Sequence, residues 1–192
     1  MEQIHSLLLQ AIAGESAAEM KYKSCALKAQ EEGYNNIAVL FTSLSRAEAI
    51  HAANHQRALE KNGYSGTLQK LEQPPVKSAT RQNLEDAIEA ERQEHQEMYP
   101  SFRRQIRKVY GNSFAAKIAL LSIKWASESE AEHAELLKTA LAALKTGTDV
   151  NGGNYYLCSV CGNIHYSAHS PEELCKVCGH DISFFTRVEV GE

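Results

Sequence analysis

One four-residue pattern, present twice, constrains this chain more than anything else in it: Glu48-Ala-Ile-His51 and Glu130-Ala-Glu-His133. Residues three apart on a helix share a face, with Cβ atoms about 5–6 Å apart. Each pair can therefore present a carboxylate and an imidazole to one metal ion. Both pairs also sit inside apolar stripes of helical period. Ile37, Phe41, Leu44, Glu48, His51, His55 and Ala58 form one stripe, and Leu120, Ile123, Ala126, Glu130, His133, Leu137 and Leu144 form the other. The ionisable residues stand where a helix should turn inward.

Two further stripes behave in the same way. Residues 3–32 read as a helix whose inward positions are Ile4, Leu8, Ala11, Glu15, Ala18, Tyr22, Cys25 and Ala29. Residues 80–110 give a third helix, with Leu84, Ala87 or Ile88, Glu91, Glu94, Met98 and Phe102 inward. Pro100 lies inside that pattern and should kink or locally open the helix. With helices over 36–61 and 113–145, four helices each carry at least one inward acid. Asn35 or Asn36 can cap the second helix and Ser78 or Thr80 the third. The Gly- and Pro-containing stretch 62–79 makes a long connection in the middle, as a ferritin-like bundle requires.

Burying a single unpaired carboxylate costs several kcal/mol. Burying Glu15, Glu48, Glu91, Glu94 and Glu130 together is untenable without cations. Two divalent ions would nearly balance them, with His51 and His133 as neutral ligands. The fold class expected is an all-α four-helix ferritin-like bundle over 1–147, holding a carboxylate-bridged two-metal site. Mixed carboxylate and imidazole donors suit iron or manganese.

After a short linker with adjacent glycines, the pattern changes to short strands and turns. Residues 152–192 form a second, small β domain built on two knuckles, Cys158-Ser-Val-Cys161-Gly and Cys175-Lys-Val-Cys178-Gly. Four thiolates at this spacing make a tetrahedral site for zinc or iron, and the cysteines alone leave that choice open. A domain this small needs the metal for its own stability. Cys25, the fifth cysteine, reads as a small core residue.

The chain has 192 residues and a net charge of −4, with no basic footprint for nucleic acid or an anionic membrane. Paired Cys-x-x-Cys spacing with an odd cysteine count argues for metal binding in a reducing compartment. With no signal-peptide pattern and no long apolar run, a cytoplasmic protein is expected.

Ala13-Gly14-Glu15-Ser16 with Tyr22, Glu31-Glu32-Gly33-Tyr34, and Glu91-x-x-Glu94 followed by Glu97-Met98-Tyr99-Pro100 resemble the rubrerythrin family over nearly the whole chain. The resemblance implies a ferritin-like bundle with two non-haem irons and a rubredoxin-like tail with one redox-active iron. It places the di-iron ligands on Glu15, Glu48, His51, Glu91, Glu94, Glu130 and His133, and the tail ligands on Cys158, Cys161, Cys175 and Cys178. It further implies that one iron is held by Glu94 when oxidised and by His51 when reduced, and that Tyr22 and Tyr99 hydrogen-bond ligand carboxylates. The activity implied is reduction of hydrogen peroxide to water in oxidative-stress defence, with electrons from an external reductase or rubredoxin. The alternatives are a ferroxidase or iron-handling protein, and a non-enzymatic module with a structural zinc knuckle. The short linker argues against the tail reaching its own di-iron site, and the resemblance implies a dimer in which one subunit's tail meets the partner's bundle, so a homodimer is expected.

Overall fold

A computed structural model describes residues 1–67 and 78–189. Helix α1 spans Glu2–Glu31, α2 Asn35–Lys61, α3 Thr80–Gln93, α4 Tyr99–Tyr110 and α5 Phe114–Lys145. α3 and α4 are halves of one interrupted helix, so the bundle has four columns. Of the long connection expected over 62–79, residues 68–77, with Pro74 and Pro75, lie outside the described residues. The stripes hold in detail: Ile4, Leu8, Ala11, Glu15, Tyr22, Cys25 and Ala29 are buried on α1, and Ile37, Phe41, Leu44, Glu48, His51, His55 and Ala58 on α2.

The interruption is a π-helical turn, Glu94–Met98, joining α3 to α4. Pro100 has no N–H for the preceding turn, and a π turn is one way for a helix to absorb that loss. The turn takes an extra residue and shifts the stripe. Tyr99, Phe102 and Ile106 are buried on α4, while Met98, an inward position by simple periodicity, is only half-buried. Glu94, the first residue of the turn, is half-buried as well.

Two helix starts are capped from a distance and not by the local residues named above. α2 begins without a side-chain cap of its own. The Asp149 carboxylate instead accepts from the backbone N–H groups of Asn36 at 2.7 Å and Ile37 at 3.1 Å. α3 also has no local side-chain cap, and the Thr80 N–H donates to Glu32 at 3.0 Å. An anion at a helix N-terminus satisfies free N–H groups and complements the dipole. Asp149 belongs to the linker, so its cap also pins the start of the tail to the bundle. Asp149→Ala is expected to lower stability by about 1 kcal/mol, the usual cost of losing an N-cap, read as an earlier denaturant midpoint in helix circular dichroism.

The tail is a three-stranded antiparallel sheet in the order β2-β1-β3, with β1 Asn154–Cys158, β2 Ile164–Ser167 and β3 Phe185–Arg187. Tyr155, Leu157, Ile164 and Val188 share one buried apolar cluster with Ile37, Phe41 and Leu44 of α2. A second apolar cluster gathers Ile4, Leu8, Leu59, Tyr99, Phe102 and Ile123. Among the described residues, no helix is long and apolar enough to cross a membrane.

Candidate metal centre

The inward acids of the four columns converge. Glu15, Glu48, His51 and Glu130 place ligand atoms within 4.8 Å of one another, as do Glu48, Glu91, Glu130 and His133. Glu48 and Glu130 belong to both groups, so the two positions share two carboxylates. All of these side chains are buried. Glu15 Oε2, Glu48 Oε1, Glu91 Oε2 and Glu130 Oε1 are buried with no hydrogen-bond partner. Buried polar atoms are nearly always paired. Four orphaned carboxylate oxygens, one from each column, are acceptors that no protein N–H or O–H satisfies. A pair of cations fits them.

The protein groups compete for ionisation here. Burial first, then the charges of Glu91 and Glu15, push Glu48 well above the usual carboxylate range. Burial and the charges of Glu48 and Glu91 do the same to Glu130. Burial opposes ionisation of Glu15 too, but the imidazole of His55, with Nε2 3.7 Å away, and the charge of His51 bring it down to about 2. Glu91 is likewise lowered against burial, by Glu130 and His133. Burial holds His51 down at about 4, which keeps its ring neutral and a lone pair free.

Both ligand-type histidines are oriented by the tail. His51 Nε2 lies 3.0 Å from the Cys161 carbonyl and His133 Nε2 lies 3.1 Å from the Gly162 carbonyl. A carbonyl only accepts, so Nε2 of each ring carries the proton and Nδ1 carries the lone pair. Those Nδ1 atoms face the acids: His51 lies 2.9 Å from both Glu48 and Glu130, and His133 lies 3.1 Å from Glu130 and 3.4 Å from Glu91. Fixing a ring by its remote N–H is how proteins commonly present an imidazole to a metal.

Two tyrosines complete the surround. Tyr22 donates its hydroxyl to Glu91, and Tyr99 donates to Glu15. Both phenols are buried, and burial followed by the neighbouring glutamates raises their pKa well above the ordinary value, so each remains a donor. Glu94 stands apart. It belongs to neither converging group, although burial and then the charges of Glu15 and Glu91 push its carboxyl up to about 10. The carboxyl therefore lies within the field of the cluster without joining it.

In the tail, Cys158, Cys161, Cys175 and Cys178 form a third converging group. Their sulfurs stand 3.7 Å apart between Cys158 and Cys178 and 3.5 Å apart between Cys161 and Cys175. A tetrathiolate with bonds of about 2.3 Å separates its sulfurs by roughly 3.8 Å, whereas a disulfide needs about 2.05 Å. The spacing fits a metal, and all five cysteines are free thiols.

The short linker does not keep the tail from its own bundle, contrary to the expectation above. Besides the two histidine bonds, Asn54 donates to the Val160 carbonyl at 2.8 Å and Ser129 to the Cys161 carbonyl at 3.2 Å, while Lys176 pairs with Glu132. With the Asp149 cap holding the linker, a few residues suffice to turn the sheet back onto α2 and α5.

A rubrerythrin family model matches residues 6–141. The chain belongs to the rubrerythrin family. Rubrerythrin-2 of Clostridium acetobutylicum is 33% identical over 174 residues, covering 90% of this chain and 89% of that protein. Nigerythrin of Nitratidesulfovibrio vulgaris is 32% identical over 176 residues, covering 92% and 82%. A solved structure of fully reduced, all-ferrous nigerythrin superposes with a TM-score of 0.84 at 29% identity, over 96% of this chain and 86% of that one. The family places a ferritin-like bundle and a rubredoxin-like tail in one chain, and this fold and these three residue groups agree with iron as their metal.

Sequence reasoning did not find the roles of Asn54, Ser122, Ser129 and the knuckle carbonyls. A backbone carbonyl leaves no mark in a sequence, and small hydroxyl residues on a helix have many uses. His55 was visible on the α2 stripe, one turn beyond His51, but without a partner to give it a role.

Proposed function

We propose that this rubrerythrin-family chain is a peroxide reductase: a non-haem oxidoreductase that reduces hydrogen peroxide to water. In this reading Glu15, Glu48, His51, Glu91, Glu130 and His133 hold two irons, Glu94 is the alternative ligand to His51 on one of them, and Cys158, Cys161, Cys175 and Cys178 hold the third. The observation that carries it is the pair of contacts from His51 and His133 to the carbonyls of Cys161 and Gly162. A storage site has no need of a thiolate knuckle seated on both of its histidines, whereas a site that must be re-reduced does.

Iron held by Glu15, Glu48, His51, Glu91, Glu130 and His133 would supply the two electrons that reduction of the O–O bond requires. The chain's own contribution is positional. Tyr22 and Tyr99 fix the lone pairs of Glu91 and Glu15, the N–H groups of His51 and His133 bind the knuckle, and the knuckle excludes water from that face. Electrons enter the thiolate site from outside the chain, from a reductase or a rubredoxin. The bundle over 1–147 and the tail over 152–192 are then the two working parts. The setting proposed is cytoplasmic, where thiols stay reduced. A homodimer stays part of the reading, although the tail's contact with its own bundle means that no partner is needed to bring the two metal sites together.

The test is single-turnover oxidation. Protein reduced without oxygen is mixed with peroxide or with air-saturated buffer, and the red colour of the oxidised thiolate iron is followed. Peroxide should restore the colour well before dioxygen does. Equal rates, or a colourless tail that contains zinc, would overturn the proposal. Assembly into a cage with mineralised iron would favour iron storage instead.

A further inference from the structure

Tyr99 has one hydroxyl hydrogen, and Glu15 receives it. The phenol oxygen can still accept, and His55 Nε2 lies 3.0 Å from it. An acceptor oxygen facing a ring nitrogen requires that nitrogen to carry the proton. The other ring nitrogen, Nδ1, is then the acceptor; the Ser122 hydroxyl 3.1 Å away can give it its one hydrogen by turning from the Ala119 carbonyl, 3.0 Å from the same oxygen. The result is a buried chain running Ser122, His55, Tyr99, Glu15 across α5, α2, α4 and α1. His55 is fully buried, and apart from its approach to Glu15 at 3.7 Å none of the roles assigned so far uses it. Its outer end is close to solvent: Ser122 lines a surface pocket of about 150 Å³ together with Asn54, Arg57 and Trp125.

We infer that His55 is a positioning residue for one of the two metal positions: its Nε2–H fixes the Tyr99 phenol so that the hydroxyl stays on Glu15. The effect is selective. Glu15 belongs only to the group with Glu48, His51 and Glu130, whereas the other group is served by Tyr22 acting on Glu91. A free phenol can turn its hydrogen away from a carboxylate by rotation about one bond. With His55 occupying its acceptor side, that rotation would bring two donors face to face. The His55 ring therefore removes the competing orientation, and Ser122 holds the ring. A direct hydrogen-bond partner of a metal ligand commonly contributes about 10–100-fold in metal affinity; that partner is Tyr99, and His55, acting through it, should contribute toward the lower end of that range.

The inference rests on Glu15 being a ligand, so the experiment separates the two ideas. Ferrous iron is titrated without oxygen, against a coloured chelator, into wild type, His55→Leu, His55→Gln and Ser122→Ala. Leucine keeps the volume but removes both hydrogen bonds, and the glutamine amide can replace Nε2–H. Wild type should take up two irons in the bundle. In His55→Leu one of them should bind roughly tenfold more weakly while the other is unchanged, His55→Gln should recover most of the loss, and Ser122→Ala should show a smaller loss of the same kind. A second readout needs no metal. The NMR signal of tyrosine labelled at Cζ, assigned to Tyr99 with Tyr99→Phe, should shift in His55→Leu and return in His55→Gln. The thiolate-iron colour reports that each variant is folded. Wild-type binding of two irons with His55→Leu indistinguishable from it overturns the role of His55 alone. No bundle iron in wild type overturns the ligand reading and this inference together. A loss in His55→Leu that glutamine does not restore shows that only the shape of the ring matters, which also overturns it. If Ser122→Ala alone folds, its loss at one position supports the inference and its equality with wild type overturns it.

Discussion

Replacing Glu130 with leucine is expected to reverse the protein's response to metal. Glu130 belongs to both converging groups and is fully buried, with one carboxylate oxygen unpaired. Burial and its acidic neighbours raise its pKa well above the ordinary range, so with no cation nearby it opposes folding. Leucine removes that cost and adds apolar contact. Replacing a whole buried ion pair by well-packed apolar residues often stabilises a protein by about 1–4 kcal/mol, and removing one uncompensated buried acid acts in the same direction. With the bundle stripped of metal, Glu130→Leu should therefore unfold at a higher temperature than wild type. With ferrous iron present the order should invert, because both positions lose a shared ligand. The affinity lost should exceed the roughly 10–100-fold typical of losing a mere hydrogen-bond partner to a ligand. Melting curves of the two proteins with and without metal should cross over. A variant less stable than wild type under both conditions would mean that Glu130 is structural and not held for a cation.

Gly162→Ala should detach the tail from the metal face. Gly162 has φ +82°, in the region that favours glycine, and a Cβ there would lie 2.4 Å from His51 Nε2, 2.7 Å from Cδ2 of the same ring and 3.1 Å from the Ala47 carbonyl. The His51 ring cannot yield, because its Nδ1 is fixed between Glu48 and Glu130. The knuckle must back away, losing the bonds from His51, His133, Asn54 and Ser129 together. The second knuckle supplies a matched control. Gly179 has φ +73° and nothing within 4 Å of its Cβ, so Gly179→Ala carries the backbone strain, about 1–2 kcal/mol, without the collision. Hydrogen exchange at Val160 to Asn163 should rise by at least about tenfold in Gly162→Ala but not in Gly179→Ala. Electron return from the thiolate iron should slow in the same variant only. Equal behaviour of the two variants would show that strain, not docking, is what the glycine serves.

The bundle was legible because its rule is local and repeated. Glu15, Glu48, Glu91 and Glu130 each break an apolar stripe in phase with it, and that contradiction can be resolved in only a few ways. The cysteine knuckles were legible because four soft ligands at fixed spacing have little other use. What could not be read depends on distance or on the backbone. Asp149 caps α2 from 112 and 113 residues away and Glu32 caps α3 from 48, where local capping rules look only at adjacent positions. Pro100 signalled a break, but not that a π turn would carry Tyr99 to the inward position and leave Glu94 half-buried. Linker length alone points the tail away from its own bundle, whereas the Asp149 cap on α2, which aims it back, leaves no local mark in the sequence.

The most direct measurement is iron per chain. Wild type and a Glu48→Leu/Glu130→Leu double variant are loaded with ferrous iron in the absence of oxygen, freed of loose metal and analysed. Among the described residues the converging groups are two in the bundle and one in the tail, so the account predicts three irons in wild type and one in the variant, with the thiolate colour equal in both. One iron in each protein would contradict it: the buried acids would then be held together by something other than metal.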